Sequence, residues 1–502
     1  MKRTLFLLTL CCLCLTAMAQ TQFGERPKLV VGIVVDQMRW DYLDRYRSRF
    51  TADGFNRLVD EGYSCNNCLI NYLPTVTAIG HTSAYTGSTP AYHGICGNTV
   101  YINDKRTVSC QDDSVRAVGS DTKSGNRSPR NLLATTIGDQ LRLHTDFRSK
   151  VVGVSYKDRA AIFPAGHSAN AAYWLDTKSL RFITSTYYMD RLPDYVEQVN
   201  NAMKKNKEVQ KAGKDIGYTP LCGTVITDMA IAALKGEHLG QGEATDMLCV
   251  SYSQTDVIGH EWGTRGQHTD EAYLTLDRDL GRLLRALDEQ VGHGNYLLFL
   301  TADHGATHNW RFMQEHHLPG GPQMNDDVVK AVNDAVSKQL GATKPVVNDI
   351  MDYRVFLNHH AIHEQGLSLR EVKQVAVDCL RHMPEVVNAV DFEQARLSAL
   401  PPLLLERVLN GYYPGRSGDV IFILKPHHYS WWSDNSPTHT THGEWNPYDA
   451  HIPLLFYGWN ISHGATSREV HITDIAPTVC QLLHIQQPSA CIGEPITEVI
   501  GR

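Results

Sequence analysis

Beyond one run at its start, the chain has no apolar stretch approaching the roughly 20 residues needed to cross a bilayer, so no segment reads as a membrane span. It has no excess of positive charge either: 47 Lys and Arg stand against 54 Asp and Glu, a formal balance of −7. An acidic chain binds nucleic acid poorly by bulk electrostatics, and none is expected as a partner; any affinity for phosphate has to be local. Low-complexity segments and repeats of fixed period are missing, which excludes solenoids and fibrous arrays. Oxygen-rich calcium loops are missing too. What is left is 502 residues at 42% hydrophobic and 20% charged, an ordinary globular composition with enough chain for a large core.

The one apolar run, Leu5 to Leu15, follows Met1-Lys2-Arg3 and precedes Ala17-Met18-Ala19. A charged start, a short greasy middle and a small-residue cleavage site make residues 1–19 a secretory signal, and the expectation is a periplasmic or secreted protein. Cys14 has no small residue before it, which argues against lipid attachment. Three of the 12 cysteines leave with the signal, and the remaining nine cannot all pair within one chain. Cys65/Cys68 and Cys96/Cys110 are the local disulfide candidates in an oxidising compartment. No second Cys or His pair follows Cys65-x-x-Cys68 at zinc-knuckle spacing, so that motif reads as structural.

Apolar, β-branched runs recur at Leu29 to Val35, Lys150 to Ser155, Met247 to Tyr252, Tyr296 to Leu300, Val420 to Leu424 and Ile452 to Tyr457. Most are nearly continuous rather than alternating, as in strands buried on both faces of a parallel sheet. Helical spacing lies between them, at Leu132 to Leu143, Ala272 to Leu287 and Ile475 to Leu483. The alternation predicts a three-layer α/β/α sandwich around a mostly parallel sheet. Residues 20–309 are expected as the catalytic core, with a smaller insertion at about 165–245. Residues 310–430, with clustered prolines and histidines and an amphipathic stripe from Val372 to Met383, are expected as an inserted cap-like subdomain. Residues 431–502 return to the core.

Asp36, Lys157, Asp256 and Asp303 each stand at or just past the carboxyl end of a predicted strand, where open α/β sheets place their sites. Carboxylates mixed with imidazoles suit zinc, and two such clusters can hold the attacking and leaving oxygens of an in-line displacement at phosphorus or sulfur. Asp256 and His260, four apart, share a helical face; Asp303 and His304 are neighbours; His442 stands alone. Pro74-Thr75-Val76-Thr77 puts hydroxyls just before a predicted helix, and a metal would make a threonine hydroxyl a competent nucleophile. Any one of these features is common. Their combination is not.

The ordered set Val34-Val35-Asp36, Pro-Thr-x-Thr77, Asp256-x-x-Gly-His260, Ala-Asp303-His304-Gly and Thr441-His442-Gly443 resembles the alkaline phosphatase superfamily over nearly the whole mature chain. By motif position the resemblance implies two Zn2+ ions. Asp256, His260 and His442 would bind one; Asp36, Asp303, His304 and the Thr77 oxygen would bind the other. In related phosphodiesterases the second threonine of Pro-Thr-x-Thr is the nucleophile, which selects Thr77 over Thr75. Monoesterases, phosphodiesterases and sulfatases share the scaffold, and Ser155-Tyr156-Lys157-Asp158-Arg159 separates them. If that segment is extended, Lys157 and Arg159 point the same way and favour the extra charge of a phosphate monoester. With Asn98 as a further donor, the combination resembles the PafA-type bacterial alkaline phosphatases.

The resemblance implies hydrolysis of small phosphate monoesters, among them sugar phosphates, nucleotides and aryl phosphates, through a phosphothreonine, by a protein expected to be a monomer. A nucleotide pyrophosphatase/phosphodiesterase is the alternative, and a non-catalytic metal- or phosphate-binding protein a more distant one. The chain lacks the C/S-x-P-x-R motif of sulfatases. His81 is expected to support the nucleophile turn, and the pairs His316-His317, His359-His360 and His427-His428 to lie outside the metal site. Tyr429, Trp431 and Trp432 fit either the mouth of the site or the core.

Overall fold

In the computed structural model the described residues are 26–102, 105–432, 436 and 438–500. The predicted signal, residues 1–19, lies outside them. The central sheet has ten strands: β1 (Leu29–Val35), β2 (Tyr63–Cys65), β3 (Ala117–Val118), β4 (Val151–Ser155), β5 (Ala171–Asp176), β6 (Arg181–Ser185), β7 (Asp246–Tyr252), β8 (Tyr296–Thr301), β9 (Leu454–Gly458) and β10 (Gly464–Thr466). Their order across the sheet is β10-β2-β9-β8-β1-β7-β4-β5-β6-β3. The five central strands, β8-β1-β7-β4-β5, run parallel, and antiparallel pairings flank them on both sides. Every residue of β1, β4, β5, β7 and β8 is buried, as continuous apolar runs require when helices cover both faces.

Two sets of helices supply the covering layers. On one side α1 (Thr77–Thr86) packs against α2 (Asp158–Ala165), Ile137–His144 and Ile475–Leu482; on the other, Leu221–Gly236 packs against Gln267–Gln290 and Asp194–Lys205. This is the α/β/α sandwich expected from the alternation. Fully burying a Val, Leu or Ile side chain contributes roughly 1.5–3 kcal/mol, so the continuous strands are the main source of sheet stability. The register is tight at the carboxyl ends, where Val35 stands opposite Tyr252, Val34 opposite Thr301 and Ser155 opposite Ser251.

Three expectations are corrected. Val420–Leu424 is not in the central sheet; it pairs antiparallel inside a second sheet ordered Val347–Met351, Arg354–Leu357, Val420–Leu424, Val386–Asp391. Helices Asn325–Leu340 and Leu369–Arg381 cover that sheet and share an apolar cluster with it, including Val328, Val372, Ala376 and Phe422. A strand buried there has the same hydrophobic signature as one buried in a parallel sheet. Second, the segment about 165–245 does not stand apart: β5 and β6 extend the central sheet, and Leu221–Gly236 packs directly on β7 and β4. Third, all nine described cysteines are free. Cys65 ends a strand of the central sheet and Cys68 begins a strand of another sheet, and both thiols are buried in the same apolar core.

Candidate active site

The aligned carboxyl ends of the parallel strands place the polar side chains together. Asp36 directly follows β1, its N–H donating to the Tyr252 carbonyl at 3.0 Å. Asp303 stands two residues past β8, and Asp256 lies in the first turn of the helix Gln254–Trp262 that follows β7. Lys157 caps α2 two residues beyond β4, and Thr77 is the first residue of α1. His442 arrives from an irregular segment after the second sheet, with the neighbouring Thr440 N–H on the His260 carbonyl at 3.1 Å.

Two groups of donors suited to a metal ion result: Asp256, His260 and His442, and Asp36, Asp303 and His304, each with its ligand atoms within 4.8 Å of one another. In the first group His260 Nε2 is 3.1 Å and His442 Nε2 3.5 Å from Asp256 Oδ1. In the second, His304 Nε2 is 3.6 Å from Asp36 Oδ1 and 3.5 Å from Asp303 Oδ2. All three histidines donate Nδ1–H to a backbone carbonyl: His260 to Thr440 at 2.8 Å, His442 to Thr75 at 2.7 Å and His304 to Gly305 at 3.0 Å. That bond fixes the tautomer and leaves Nε2 as a lone-pair donor facing the carboxylates, the outer-shell pattern of metal-binding imidazoles. Asp36 Oδ1, Asp303 Oδ2 and His304 Nε2 are buried without a hydrogen-bond partner. Buried polar atoms rarely go unpaired, so this donor set fits a divalent cation.

The electrostatics carry the same message. Burial, reinforced by Asp303 nearby, pushes the Asp36 carboxyl well above its ordinary range. Burial acts upward on Asp256 too, but His260 and Lys157 override it and hold its carboxyl far down. Burial drives the His442 and His304 imidazoles down, toward the neutral form that can ligate.

Thr77 is buried. The Lys157 ammonium joins the hydroxyl to both groups, lying 2.8 Å from Asp36 Oδ2, 2.6 Å from Asp256 Oδ2 and 3.3 Å from Thr77 Oγ1. One cation therefore touches one carboxylate of each triad and the hydroxyl between them. Asn98 accepts the Ala78 N–H through its side-chain carbonyl at 2.9 Å, which fixes the amide beside the start of α1. Arg159 differs from expectation in one respect: Lys157-x-Arg159 is the first turn of a helix rather than an extended segment. Arg159 Nη1 lies 3.5 Å from Asp158 Oδ1, and its buried Nε has no partner.

Sequence reasoning missed Gln37. Its N–H donates to Asp303 Oδ1 at 3.1 Å and its Nε2 to Asp256 Oδ1 at 2.7 Å, so one residue ties the two groups together. It holds φ at 63°, the left-handed region that few non-glycine residues adopt. The signal lay in the partner motif: a Cβ on Gly259 would fall 1.9 Å from Gln37 Oε1, which is why Asp256-x-x-Gly-His260 carries its glycine. Gly80 does the same for α1, where a Cβ would meet the Asp303 carbonyl at 2.4 Å. His81 packs beneath the turn that carries Thr77, with Nδ1 2.9 Å from the Thr77 carbonyl and 3.2 Å from Asp303 Oδ2, and Nε2 2.8 Å from Ser251 Oγ. Tyr353 was also missed; it reaches from the tip of a hairpin in the second sheet and donates to the His442 carbonyl at 3.0 Å. Of the histidine pairs, His359 binds Asp419 and His428 binds Glu385, both away from the triads.

A cleft of about 400 Å3 opens beside His260 and His442 and is lined also by Asn98, Asp352, Tyr353, Met351 and Trp432. Thus the second sheet roofs one side of the metal-suited triad. Tyr429 and Trp431 are buried, whereas Trp432 is 67% exposed.

Residues 30–445 match the family described as type I phosphodiesterase / nucleotide pyrophosphatase. The chain is 42% identical to a Myroides odoratus protein named calcium-transporting ATPase, over 98% of each chain. It is also 42% identical to alkaline phosphatase PafA of Elizabethkingia meningoseptica, over 96% of each. The crystal structure of wild-type alkaline phosphatase PafA superposes with a TM-score of 0.90 at 42% identity, covering 95% of this chain and 100% of that one.

Proposed function

This chain belongs to the type I phosphodiesterase / nucleotide pyrophosphatase family and is an alkaline phosphatase of the PafA type, and from that premise we propose an exported phosphomonoesterase that works through a phosphothreonine at a two-zinc site. The observation that carries the reading is the Lys157 ammonium bridging Asp36, Asp256 and Thr77 Oγ1. It sets the hydroxyl between the two donor triads, where an in-line displacement needs its nucleophile.

Asp256, His260 and His442 would hold one ion, and Asp36, Asp303, His304 and Thr77 Oγ1 the other. Bound there, two zinc ions supply Lewis acidity on both sides of the displacement. Mixed carboxylate and imidazole donors support zinc over magnesium or calcium, which prefer oxygen alone. The same donor chemistry gives calcium transport no support.

Thr77 Oγ1 forms a bond to phosphorus as the bond to the leaving oxygen breaks, and the leaving group departs as the alcohol. Water then displaces the threonine and releases inorganic phosphate. At the start of α1, Thr77 meets the positive end of a ten-residue helix, which favours the anionic oxygen. Lys157, Arg159 and the Asn98 amide bind the non-bridging oxygens, and the two cations match the dianion of a monoester better than the single charge of a diester. The charged, apolar and small-residue run of residues 1–19 supports export.

The test compares kcat/KM for p-nitrophenyl phosphate and bis-p-nitrophenyl phosphate on protein purified without chelator, alongside its metal content. Monoester rates above diester rates with about two zinc ions per chain are expected. A faster diester would make the protein a phosphodiesterase, and turnover without metal would remove the bimetallic mechanism.

A further inference from the structure

His260 and His442, two members of the Asp256 triad, line the 400 Å3 cleft, so whatever leaves phosphorus on that side is delivered into it. The rest of the lining mixes apolar and charged groups: Ile350, Met351 and Tyr353 come from the second sheet together with Asp349 and Asp352, Arg106 adds a cation, and Trp432 supplies the largest ring. Trp432 follows the strand His428–Trp431, is 67% exposed and stacks on Trp431 with ring centroids 4.9 Å apart and planes inclined by 26°. Trp431 is in turn packed edge-on against Tyr429 at 6.0 Å and lies 5.7 Å from the His439 ring. A large apolar ring that stacks on a buried neighbour and still stands 67% exposed at the cleft is preorganised to receive a flat ring. Core packing does not account for it, because Tyr429 and Trp431 already fill the interior beneath.

We propose that Trp432 is a specificity-determining residue of this phosphatase, an indole platform on which the leaving group stacks, so that nucleoside and aryl phosphates are preferred over aliphatic ones of equal charge. The inference rests on the phosphomonoesterase reading and adds the class of leaving group to it. The cleft has the size of a ligand pocket rather than a phosphate notch. Polar residues of the same lining, Asn325, Ser430 and Thr99, can meet the edge of a base or ribose. Stacking acts on binding, so its removal belongs in KM with little effect on kcat.

The experiment measures kcat and KM of wild type, Trp432→Ala and Trp432→Phe on AMP, phenyl phosphate and glycerol phosphate, with inorganic phosphate as a competitive inhibitor. Alanine is expected to raise KM for AMP and phenyl phosphate about tenfold, while glycerol phosphate and phosphate stay within about twofold, and phenylalanine is expected to restore most of the loss. An equal loss on all substrates would mean that Trp432 only braces the fold. No loss on any would mean that the ring faces something other than substrate, such as another protein. Both overturn the proposal. If wild type hydrolyses no monoester at all, the phosphatase reading fails separately. Equilibrium binding of AMP against glycerol phosphate to wild type and Trp432→Ala then still decides whether the indole is a platform.

Discussion

At the scale of single residues, roles follow from what each side chain touches. Thr77 sits at the start of a buried helix with a lysine on its hydroxyl, the contact on which its proposed role as nucleophile rests. Thr77→Ala is expected to cut monoester turnover by at least roughly a thousandfold, with metal content close to two ions per chain apart from the lost ligand. Acid-quenched protein should carry no covalent phosphate; more than a few per cent of residual activity would place the nucleophile elsewhere. Lys157 and Arg159 make a different kind of contribution. Charge-assisted hydrogen bonds contribute about 1.5–3 kcal/mol each, so changing both to alanine should lower kcat/KM for monoesters by roughly 10²–10⁴. Diesters should lose far less. Equal losses would mean that the pair is not the monoester filter.

Elements set those residues in place, and the glycines of the motifs are where elements meet. Gly259 leaves room for Gln37, whose amide binds Asp256 and whose N–H binds Asp303. Alanine there would improve helix propensity by about 0.8–1 kcal/mol, yet its methyl would force Gln37 out. Gly259→Ala is expected to leave thermal stability close to wild type while metal retention on dialysis drops about 10- to 100-fold. A variant that lost stability but kept its metal would show the glycine to be a packing residue only. The motif spacing displayed the glycine, but the reason for it sits over two hundred positions upstream on another strand end. A separation of 89 positions hid Tyr353: a tyrosine in a hairpin reads as core until the hairpin is seen to touch the His442 carbonyl.

Across the whole molecule, hydrophobic runs disclosed the layers but not which sheet each strand joins. Leu29–Val35 and Val420–Leu424 are equally apolar and equally buried, one between parallel neighbours and the other between antiparallel ones. Ala171–Asp176 went unrecognised because six residues of mixed size between turns hardly stand out, although they extend the main sheet. The seven proposed ligands were legible because chemistry restricts residue type more tightly than packing does. They join distant parts of the chain, so metal should stabilise the assembled core. At free zinc about a thousand times its Kd the gain is about 4 kcal/mol. Adding chelator should lower the Tm by several degrees and re-added zinc should restore it; an unchanged Tm would mean that the triads hold no ion.

His442 comes from beyond the second sheet, while Asp256 and His260, which it completes, precede that sheet. Ribosomes deliver the amino end first, so the helix of Thr77 and most of the proposed ligands emerge long before their last partner. A truncated or stalled translation product, however well its first strands have folded, carries half a clasp. On the proposed ligand set, reactivity waits for His442, and timing is thereby written into the order of the residues.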